Sequence, residues 1–507
     1  MRVTGSLVVL LMLVMASPVQ GAPWASPDDP RLRHSLHWLV DQGCVDMPVT
    51  TWPVMWADIT DMLRDRDIAA HCRRSEAWRY LRFEHDRKAH PGPHLEARLE
   101  AASREPLFRD FADDAREKAA AGARLEWLGD GLAAGLSVTR VRDPRDGDET
   151  RLDGSWVAGT LGNWVVGAGQ VDRWWGPGWH SSDIFSTNAR PVPAVWLSRR
   201  RSTAFEVPLL RWLGPWQFTA MAGELESDRA IPDTRLLGAR LAFRPASGLE
   251  IGMSRTALWA GDDDERPSSG RSLWECLIGD SNRYADEGPD ACGQMAGFDL
   301  RWSFLNRPEI SPAFYAQAIG EDEAGMLPSK YMALAGFELG TRLGRHEQRF
   351  FLEYTDNIAG TWPSEQRYNV SFDNGSYPTG YRYKGRNIAS TWETDTRAGS
   401  LGGSWFTPAG KELGITFTHA ALNRDGTLRN RPEEAGTLVL EPRPMQRRNI
   451  ARLRYRQPFL RGRLTLSGWF MDREIESRYG QDNDNGEQTR TWPRAIVMAS
   501  WEYRFAL

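Results

Sequence analysis

Residues 169–190 carry the densest set of side chains that could bind a ligand, in the sequence GQVDRWWGPGWHSSDIFSTNAR. Three tryptophans surround a Gly-Pro-Gly turn, in which proline fixes φ and the glycines let the backbone bend. Flat aromatic faces suit stacking on sugar rings, while neighbouring charged and amide groups bind hydroxyls or carboxylates. The sequence predicts a polysaccharide-binding loop with seven contact residues: Asp172, Arg173, Trp174, Trp175, Trp179, Asn188 and Arg190. The alternative is that the tryptophans only pack the loop together.

The sequence carries none of the common signatures of catalysis. It lacks both the Gly-x-Ser-x-Gly elbow of hydrolases and a phosphate-binding loop of the Walker type. His34 and His37 lie three residues apart on a predicted helix, but without a further ligand they favour packing over a metal site. A net charge of −4 gives no reason to expect nucleic acid as a partner. We expect a protein that is not an enzyme and holds no metal or cofactor.

An export signal opens the chain. Arg2 precedes an apolar run over residues 7–15 and small residues lead to Gly21, which predicts a secretory signal peptide over residues 1–21. No later run of about eighteen apolar residues occurs. The 507 residues include 23 tryptophans, and the mean hydropathy is −0.52. An exported, aromatic-rich chain of this kind is typical of a transmembrane β-barrel, whose apolar signal is spread over short alternating strands.

Four cysteines, an even number in an exported chain, predict disulfide bonds. Proximity in the sequence favours the pairs Cys44–Cys72 and Cys276–Cys292, although the count alone also allows two other pairings. Neither pair has the spacing of a zinc site.

Residues 22–92 predict a small helical module. Asp29-Pro30 is typical of a helix start, and apolar residues follow it at helical spacing. Two further helices are predicted to begin near residues 51 and 75. Because this module precedes the membrane section, we expect it to lie in the periplasm.

From residue 93 to residue 507 the apolar period changes from helical to two, which predicts a barrel of about eighteen antiparallel strands. The predicted spans are 94–102, 116–127, 132–141, 152–161, 163–171, 192–201, 216–224, 236–243, 249–255, 294–304, 312–319, 330–340, 348–355, 391–406, 411–420, 447–457, 462–473 and 491–506. Short and long connections alternate between them, and in outer-membrane barrels the long ones face outside. The pattern makes 172–191 an extracellular loop. Residues 202–215 do not fit this alternation, because they form a long connection on the periplasmic side, where the other connections are short. We interpret them as an inward-folded piece or a periplasmic cap.

Five arginines near the end of the chain would line the lumen if their apolar neighbours face lipid: Arg452, Arg454, Arg456, Arg461 and Arg463. A polar interior balanced by acids on neighbouring strands is favoured, because barrel interiors are normally polar. The alternative is a basic track for an acidic polymer.

Several motifs together resemble the capsule-assembly Wzi family of outer-membrane proteins. They are Val171-Asp172-Arg173-Trp174-Trp175-Gly176-Pro177-Gly178-Trp179, Asn188-Ala189-Arg190-Pro191, Phe205-Glu206, Leu213-Gly214-Pro215-Trp216, Ile231-Pro232-Asp233, Ser254-Arg255-Thr256, and Thr51-Trp52-Pro53 with Trp56. The resemblance implies an eighteen-stranded barrel with a periplasmic helical bundle. It also implies a lectin-like role in holding capsular or exopolysaccharide at the cell surface, with extracellular loops that largely close the pore.

The resulting hypothesis is a monomeric outer-membrane protein that binds and retains capsular or extracellular polysaccharide during capsule assembly. Its expected partners are the polysaccharide, outer-membrane lipids and the capsule export machinery. Two alternatives stay open at this point. One is a porin or polysaccharide-export channel, and the other is an outer-membrane hydrolase whose catalytic residues are spread across strands.

Overall fold

The computed structural model describes residues 23–112, 114–129, 131–263, 266–278, 292–304, 307, 309–324, 327–361, 365–427, 440–442, 444–482 and 486–505. The predicted signal peptide, residues 1–21, lies outside the described residues. Eighteen antiparallel strands close into one barrel, because the last strand pairs with the first. Two short strands, Thr150–Arg151 and Glu365–Arg367, extend it at one end.

The barrel strands follow one another in chain order around the barrel. The first nine are β1 Gly92–Ala102, β2 Ala119–Leu128, β3 Leu132–Arg142, β4 Trp156–Leu161, β5 Trp164–Gln170, β6 Pro193–Arg199, β7 Trp216–Glu224, β8 Arg235–Ala246 and β9 Leu249–Trp259. The last nine are β10 Cys292–Ser303, β11 Ile310–Ala324, β12 Leu327–Leu343, β13 His346–Thr361, β14 Arg397–Phe406, β15 Glu412–Leu422, β16 Gln446–Phe459, β17 Gly462–Met471 and β18 Ala495–Phe505.

The predicted fold class is confirmed, and each of the eighteen predicted spans overlaps one observed strand. The span 216–224 is reproduced without change by β7. The largest shortening is in the span 391–406, because β14 begins only at Arg397. Residues 391–396 are buried in the lumen and lie outside the strand, and Trp392 among them packs against Phe108.

The outer face of the wall is apolar and exposed. Leu352 of β13 faces outward between Phe337 and Leu401 of the two neighbouring strands, and all three side chains are exposed. The residues before and after Leu352 in the chain, Phe351 and Glu353, are buried on the inner face. Apolar side chains such as Leu352 point away from the interior on strands all round the barrel. Lipid is their favourable environment, so this face forms a lipid-facing belt.

The helical module has the helices α1 Pro30–Asp41, α2 Trp56–Arg64, α3 Ala70–Arg73 and α4 Glu76–Lys88. The Asp29 side chain accepts hydrogen bonds from the backbone N–H groups of Arg31 and Leu32, which explains why α1 begins at the predicted place. Every residue of α1 after Pro30 is buried, polar residues included, because the helix lies inside the barrel. Among the residues that the structure describes, no helix combines the length and apolar character needed to cross a lipid bilayer. We call residues 23–91 the plug.

Both predicted disulfide pairs are confirmed. Cys44 is bonded to Cys72 within the plug, with the two Cα atoms 5.8 Å apart. Cys276 is bonded to Cys292 at the opposite end of the barrel, with a Cα separation of 6.0 Å. The second bond ties α5, Gly270–Ile278, to the start of β10.

Buried ion pairs hold the plug in the lumen. Asp41, at the end of α1, accepts two hydrogen bonds from Arg301 of β10, at 2.7 and 2.8 Å. On β9, Glu250 accepts the backbone N–H groups of Val49 and Thr50. A buried charge is stable only when it is paired and hydrogen-bonded, so these contacts make the plug and the wall depend on each other.

The C-terminal arginines that line the lumen pair with acidic residues, as the favoured interpretation predicted. Their partners, however, come largely from the plug and the loops. Arg452 pairs with Asp110 of the loop after β1, at 2.7 Å, and Arg456 pairs with Asp29 of the plug, at 3.1 Å. The prediction was wrong for Arg461, which lies in the turn between β16 and β17 and is exposed.

Replacing Leu352 by Arg should destabilise the barrel in a bilayer by roughly 2–4 kcal/mol, because a charge would face the middle of the hydrocarbon layer. Urea titration in lipid vesicles, with the folded form detected by its shifted mobility on unheated gels, measures the change. The matched control is Leu343→Arg at the end of β12, next to a turn, where the expected cost is about 0–1 kcal/mol. Equal costs at the two positions would contradict a lipid-facing belt.

Candidate functional site

The loop predicted to bind a ligand folds into the barrel. We call residues 171–192, between β5 and β6, the inward loop. Although both of its ends lie at the rim opposite the plug, Trp174 pairs in a short antiparallel ladder with Trp52 of the plug, and Trp175 pairs with Thr51. The N–H of Gly176 donates to the carbonyl of Thr50 at 3.0 Å. The loop therefore crosses the lumen and meets the plug.

The three tryptophans of the predicted extracellular loop are buried and not displayed to solvent. Trp174 and Trp175 are 0% exposed and Trp179 is 7% exposed. Trp174 lies edge-on against Phe111, with ring centroids 5.3 Å apart, and Trp175 lies against Phe185 at 4.6 Å. The loop packs around these rings because they carry a large apolar area, and inside the lumen this area is best buried against other side chains. Whether they contact polysaccharide is not tested by this geometry, so that role stays a prediction.

Arg33 of α1 fills the space between the plug and the inward loop. Its guanidinium lies 4.4 Å from the ring centroid of Trp179 and 4.5 Å from that of Phe111, and it donates to the carbonyl of Pro177 at 2.8 Å. Burial lowers the pKa of Arg33 to about 10, although Glu338 acts in the opposite direction. The cation therefore keeps its charge at neutral pH and ties the helix to the loop.

Glu353, on the inner face of β13, anchors the tip of the inward loop. Its carboxylate accepts the backbone N–H groups of Trp179 at 2.7 Å, His180 at 3.2 Å and Ser181 at 2.8 Å, and the hydroxyl of Tyr315 at 2.9 Å. Glu338 of β12 accepts the indole N–H of Trp179 in addition. Charge-assisted bonds of this kind are roughly twice as strong as neutral ones. Neither glutamate belongs to a motif noted in the sequence. Both lie on predicted strands at positions that alternate with lipid-facing apolar residues, and this alternation could have identified them.

The four polar residues of the predicted site have different environments. Arg173 is buried and donates to the carbonyl of Val171, and burial lowers its pKa to about 10. Asn188 is buried and donates to the carbonyl of Asn387 at 3.1 Å. Arg190 pairs with three aspartates of the loop after β3: Asp146, Asp148 and Asp153. Asp172 keeps 37% of its side chain exposed.

A second long connection, residues 365–396, also enters the lumen and packs against the inward loop. The carbonyl of Ile388 accepts from the N–H of Ser186 at 2.9 Å, and the hydroxyl of Tyr381 donates to the carbonyl of Ile184 at 3.1 Å. The hydroxyls of Ser181 and Ser390 lie 2.9 Å apart. Two loops and the plug together fill most of the barrel cross-section.

A polar cavity of about 200 Å³ lies along β1 to β4 and β18, between the plug and the inward loop. Its lining alternates basic and acidic side chains, among them Arg116, Glu117, Arg151 and Asp172. Arg116 donates to the carboxylate of Asp172 at 2.9 Å and to the carbonyl of Ala189 at 2.7 Å. Asp172 is therefore the member of the predicted site that lies on an accessible polar surface.

The two histidines considered as metal ligands face different carboxylates of the wall. His34 lies 3.4 Å from Glu347, and His37 lies 3.4 Å from Glu338. Burial, and then the charge of Arg301, lowers the pKa of His37 to about 3, so its ring is neutral at physiological pH. These positions make both rings part of the contact between α1 and the wall.

The fold and this interior define a class of protein: a β-barrel of the outer membrane whose apolar belt faces lipid and whose lumen is filled by its own chain. The sequence matches the family described as "Capsule assembly protein Wzi" over residues 88–488. The chain belongs to this family, as the motifs around the inward loop had indicated.

Two relatives illustrate the likeness. One is an uncharacterized 55.8 kDa protein in the cps region of Klebsiella pneumoniae, 28% identical over 331 residues, which are 65% of this chain and 64% of that protein. The chain thus spans somewhat less than two thirds of the relative's length. The other is a solved structure described as Wzi, an outer membrane protein involved in group 1 capsule assembly in Escherichia coli and a carbohydrate-binding β-barrel. It covers 97% of this chain and 100% of its own, with a TM-score of 0.78 and 23% identity, which shows the fold.

Packing of the inward loop should weaken as the pH rises, because of Asp183. Among the described residues its buried carboxylate has no hydrogen-bond partner, and burial, with Glu353 and Asp356 nearby, raises its pKa well above 3.8. The folded state therefore holds a proton that the unfolded loop releases, and stability falls as pH rises above that ordinary value. Hydrogen exchange of residues 174–188, corrected for intrinsic pH dependence, should show protection that declines between pH 5 and 8. In Asp183→Asn the decline should be smaller, and an unchanged decline would contradict this role.

Proposed function

We propose that this protein binds and retains capsular or extracellular polysaccharide at the cell surface during capsule assembly, as a lectin-like protein that performs no chemistry. Membership of the Wzi family and the fold shared with a carbohydrate-binding barrel support the proposal. Its partners would be the polysaccharide, outer-membrane lipids and the capsule export machinery, and it would act as a monomer.

The observation that carries the proposal is the filled lumen. In an eighteen-stranded barrel the interior is wide enough for an aqueous channel when it is left open. Here the inward loop reaches the plug and residues 365–396 pack beside it. Within the described residues, the plug and the two loops leave a polar cavity of only about 200 Å³ along one side of the lumen. So small a space favours action on the polymer from the outer surface.

The orientation proposed for the barrel follows the convention of outer-membrane barrels. The short connections, such as 162–163 and 344–345, lie at the end that holds the plug, and this end would face the periplasm. The long connections, among them 143–155 and 365–396, would face outside. Asp172 then lies at the outer end of the cavity, which extends along the wall to Asp28 and Lys88 of the plug.

Asp172 and Arg116 are the proposed first contacts for the polysaccharide. The pair offers an acceptor for sugar hydroxyls and a cation for uronate or other acidic groups, on the wall of a polar cavity. Each contact is modest, so retention would come from a repeating polymer that engages several copies of the protein at once. Direct stacking on Trp174, Trp175 or Trp179 would require the inward loop to leave the lumen, and with the loop in place the rings support the segment that carries Asp172.

Replacing Asp172 by Asn should lower the affinity of purified protein for its polysaccharide about tenfold, the factor that corresponds to roughly 1.4 kcal/mol. A panel of acidic and neutral bacterial capsular polysaccharides identifies the ligand, and immobilised protein then gives the affinities. Asp61→Asn is the matched control, because Asp61 also accepts from an arginine, Arg201 at 2.6 Å, but at the plug end. The proposal fails if the wild type binds none of the panel, and the assignment of the site fails if both variants behave alike.

A porin or export channel would give a steady conductance in planar bilayers, whereas the proposed function predicts none. Because the plug and both loops occupy the lumen, we expect no steady conductance of the size that an open barrel of this width would give. Brief or small events are compatible with the remaining cavity of about 200 Å³. A stable, large, ohmic conductance from the intact wild-type protein would favour the channel.

A further inference from the structure

The connection between β6 and β7 covers residues 200–215, of which residues 202–215 were expected to fold inward or to cap the periplasmic end. It does neither. Its central part, residues 203–213, lies on the outside of the barrel at the plug end, and we call it the rim flap. The alternation of β7 and β8 shows this placement, because Gln217 and Arg240 are buried on the inner face, whereas Trp216 and Phe243 belong to the opposite, outward row.

Two aromatic contacts hold the rim flap against the outer wall. Phe205 stacks on Trp216 with ring centroids 4.5 Å apart and planes inclined by 12°. Trp212 lies edge-on to Phe243 with centroids 6.1 Å apart. Phe243 is buried as a result, although its row faces away from the lumen.

Polar contacts at the root of the rim flap fix the same arrangement. Arg199, on the outward row of β6, lies with its guanidinium 3.7 Å from the ring centroid of Trp216 and donates to the carbonyls of Thr203 and Trp216 at 2.9 and 2.7 Å. Gly214 closes the segment with φ of +63°, and a Cβ there would meet the carbonyl oxygen of Arg244 at 1.9 Å. The turn that leads from the rim flap into β7 therefore requires glycine at position 214.

The surface that the rim flap turns away from the barrel is apolar. Leu209 is 79% exposed, Trp212 is 62% exposed and Val207 is 55% exposed. Neighbouring apolar side chains this exposed are unfavourable in water and favourable at a lipid boundary. The surface continues the lipid-facing rows of β6 to β8, and three arginines border it at the rim: Arg200, Arg201 and Arg211. Lipid phosphates complement that charge.

We propose that the rim flap is a membrane-interface anchor, in which Val207, Leu209 and Trp212 insert into the boundary between headgroups and acyl chains of the phospholipid leaflet at the plug end. Tryptophan and arginine are suited to this depth, where an apolar body and a polar group are both satisfied. The anchor fixes the height of the β6–β8 sector in the membrane, and since Arg201 pairs with Asp61 of α2, it also fixes the plug relative to the leaflet.

The test uses single cysteines, since the four described native cysteines are all paired. Leu209→Cys is labelled with a thiol-reactive fluorophore in the full-length protein and reconstituted into phosphatidylethanolamine–phosphatidylglycerol vesicles. A second set of vesicles carries lipids with a nitroxide quencher near the headgroup. Leu352→Cys in the lipid belt is the positive control, and Asp67→Cys on an exposed part of the plug is the water-exposed control at the same end. Gel mobility of unheated samples verifies that each variant is folded.

We expect the label at 209 to be quenched severalfold more than the label at 67 and to have a blue-shifted emission like the label at 352. Quenching at 209 as weak as at 67 would overturn the proposal. So would disulfide-linked dimers of the unlabelled Leu209→Cys variant in vesicles, since these would indicate that a second copy of the chain covers the flap. Polysaccharide binding by the same samples is measured separately, so failure of the anchor is distinguishable from failure of the proposed function.

Discussion

Carboxylates buried on the inner wall of the barrel are the constraint on which the rest of the structure depends. Glu250, Glu338 and Glu353 project into the lumen and are buried there, so each must be matched by donors or cations. The plug and the inward loop supply them: the backbone N–H groups of residues 49–50 meet Glu250, and those of residues 179–181 meet Glu353. Wall, plug and loop are therefore stable only together.

This mutual satisfaction divides the protein into three surfaces. The outer wall is apolar and belongs to lipid, as Leu352 and its neighbours illustrate. The interior is polar and largely filled by the chain, and its ion pairs, such as Arg301 with Asp41, join distant parts of the chain. The third surface is the end formed by the long connections, where polar groups such as Asp172 stay accessible. The filled lumen distinguishes this barrel from the open aqueous channel that a barrel of this width can enclose.

The sequence predicted the wall well and the interior poorly, for a physical reason. A strand that separates lipid from a polar lumen must alternate, so its residues report their own environment, and β7 was located to the residue. Proximity in the sequence favoured both disulfides, because each closes a short segment. The sequence did not reveal that Trp174, Trp175 and Trp179 are buried, because the residues of a loop do not show whether an aromatic side chain faces solvent or a neighbouring segment. It also failed for residues 203–213, whose apolar residues fit an inward fold and an outward fold equally.

The amino-acid sequence by itself determined the membrane barrel, the helical module before it and the family, because these depend on local periodicity and on motifs. It favoured the observed cysteine pairs by their proximity and left the two other pairings open. Only the tertiary structure decided that the tryptophan loop descends to meet Trp52, and that Glu353 receives it. It also decided that the rim flap lies on Trp216 and Phe243. These outcomes depend on which distant groups satisfy each other's buried charges and apolar faces, and such pairings exist only once the barrel has closed around them.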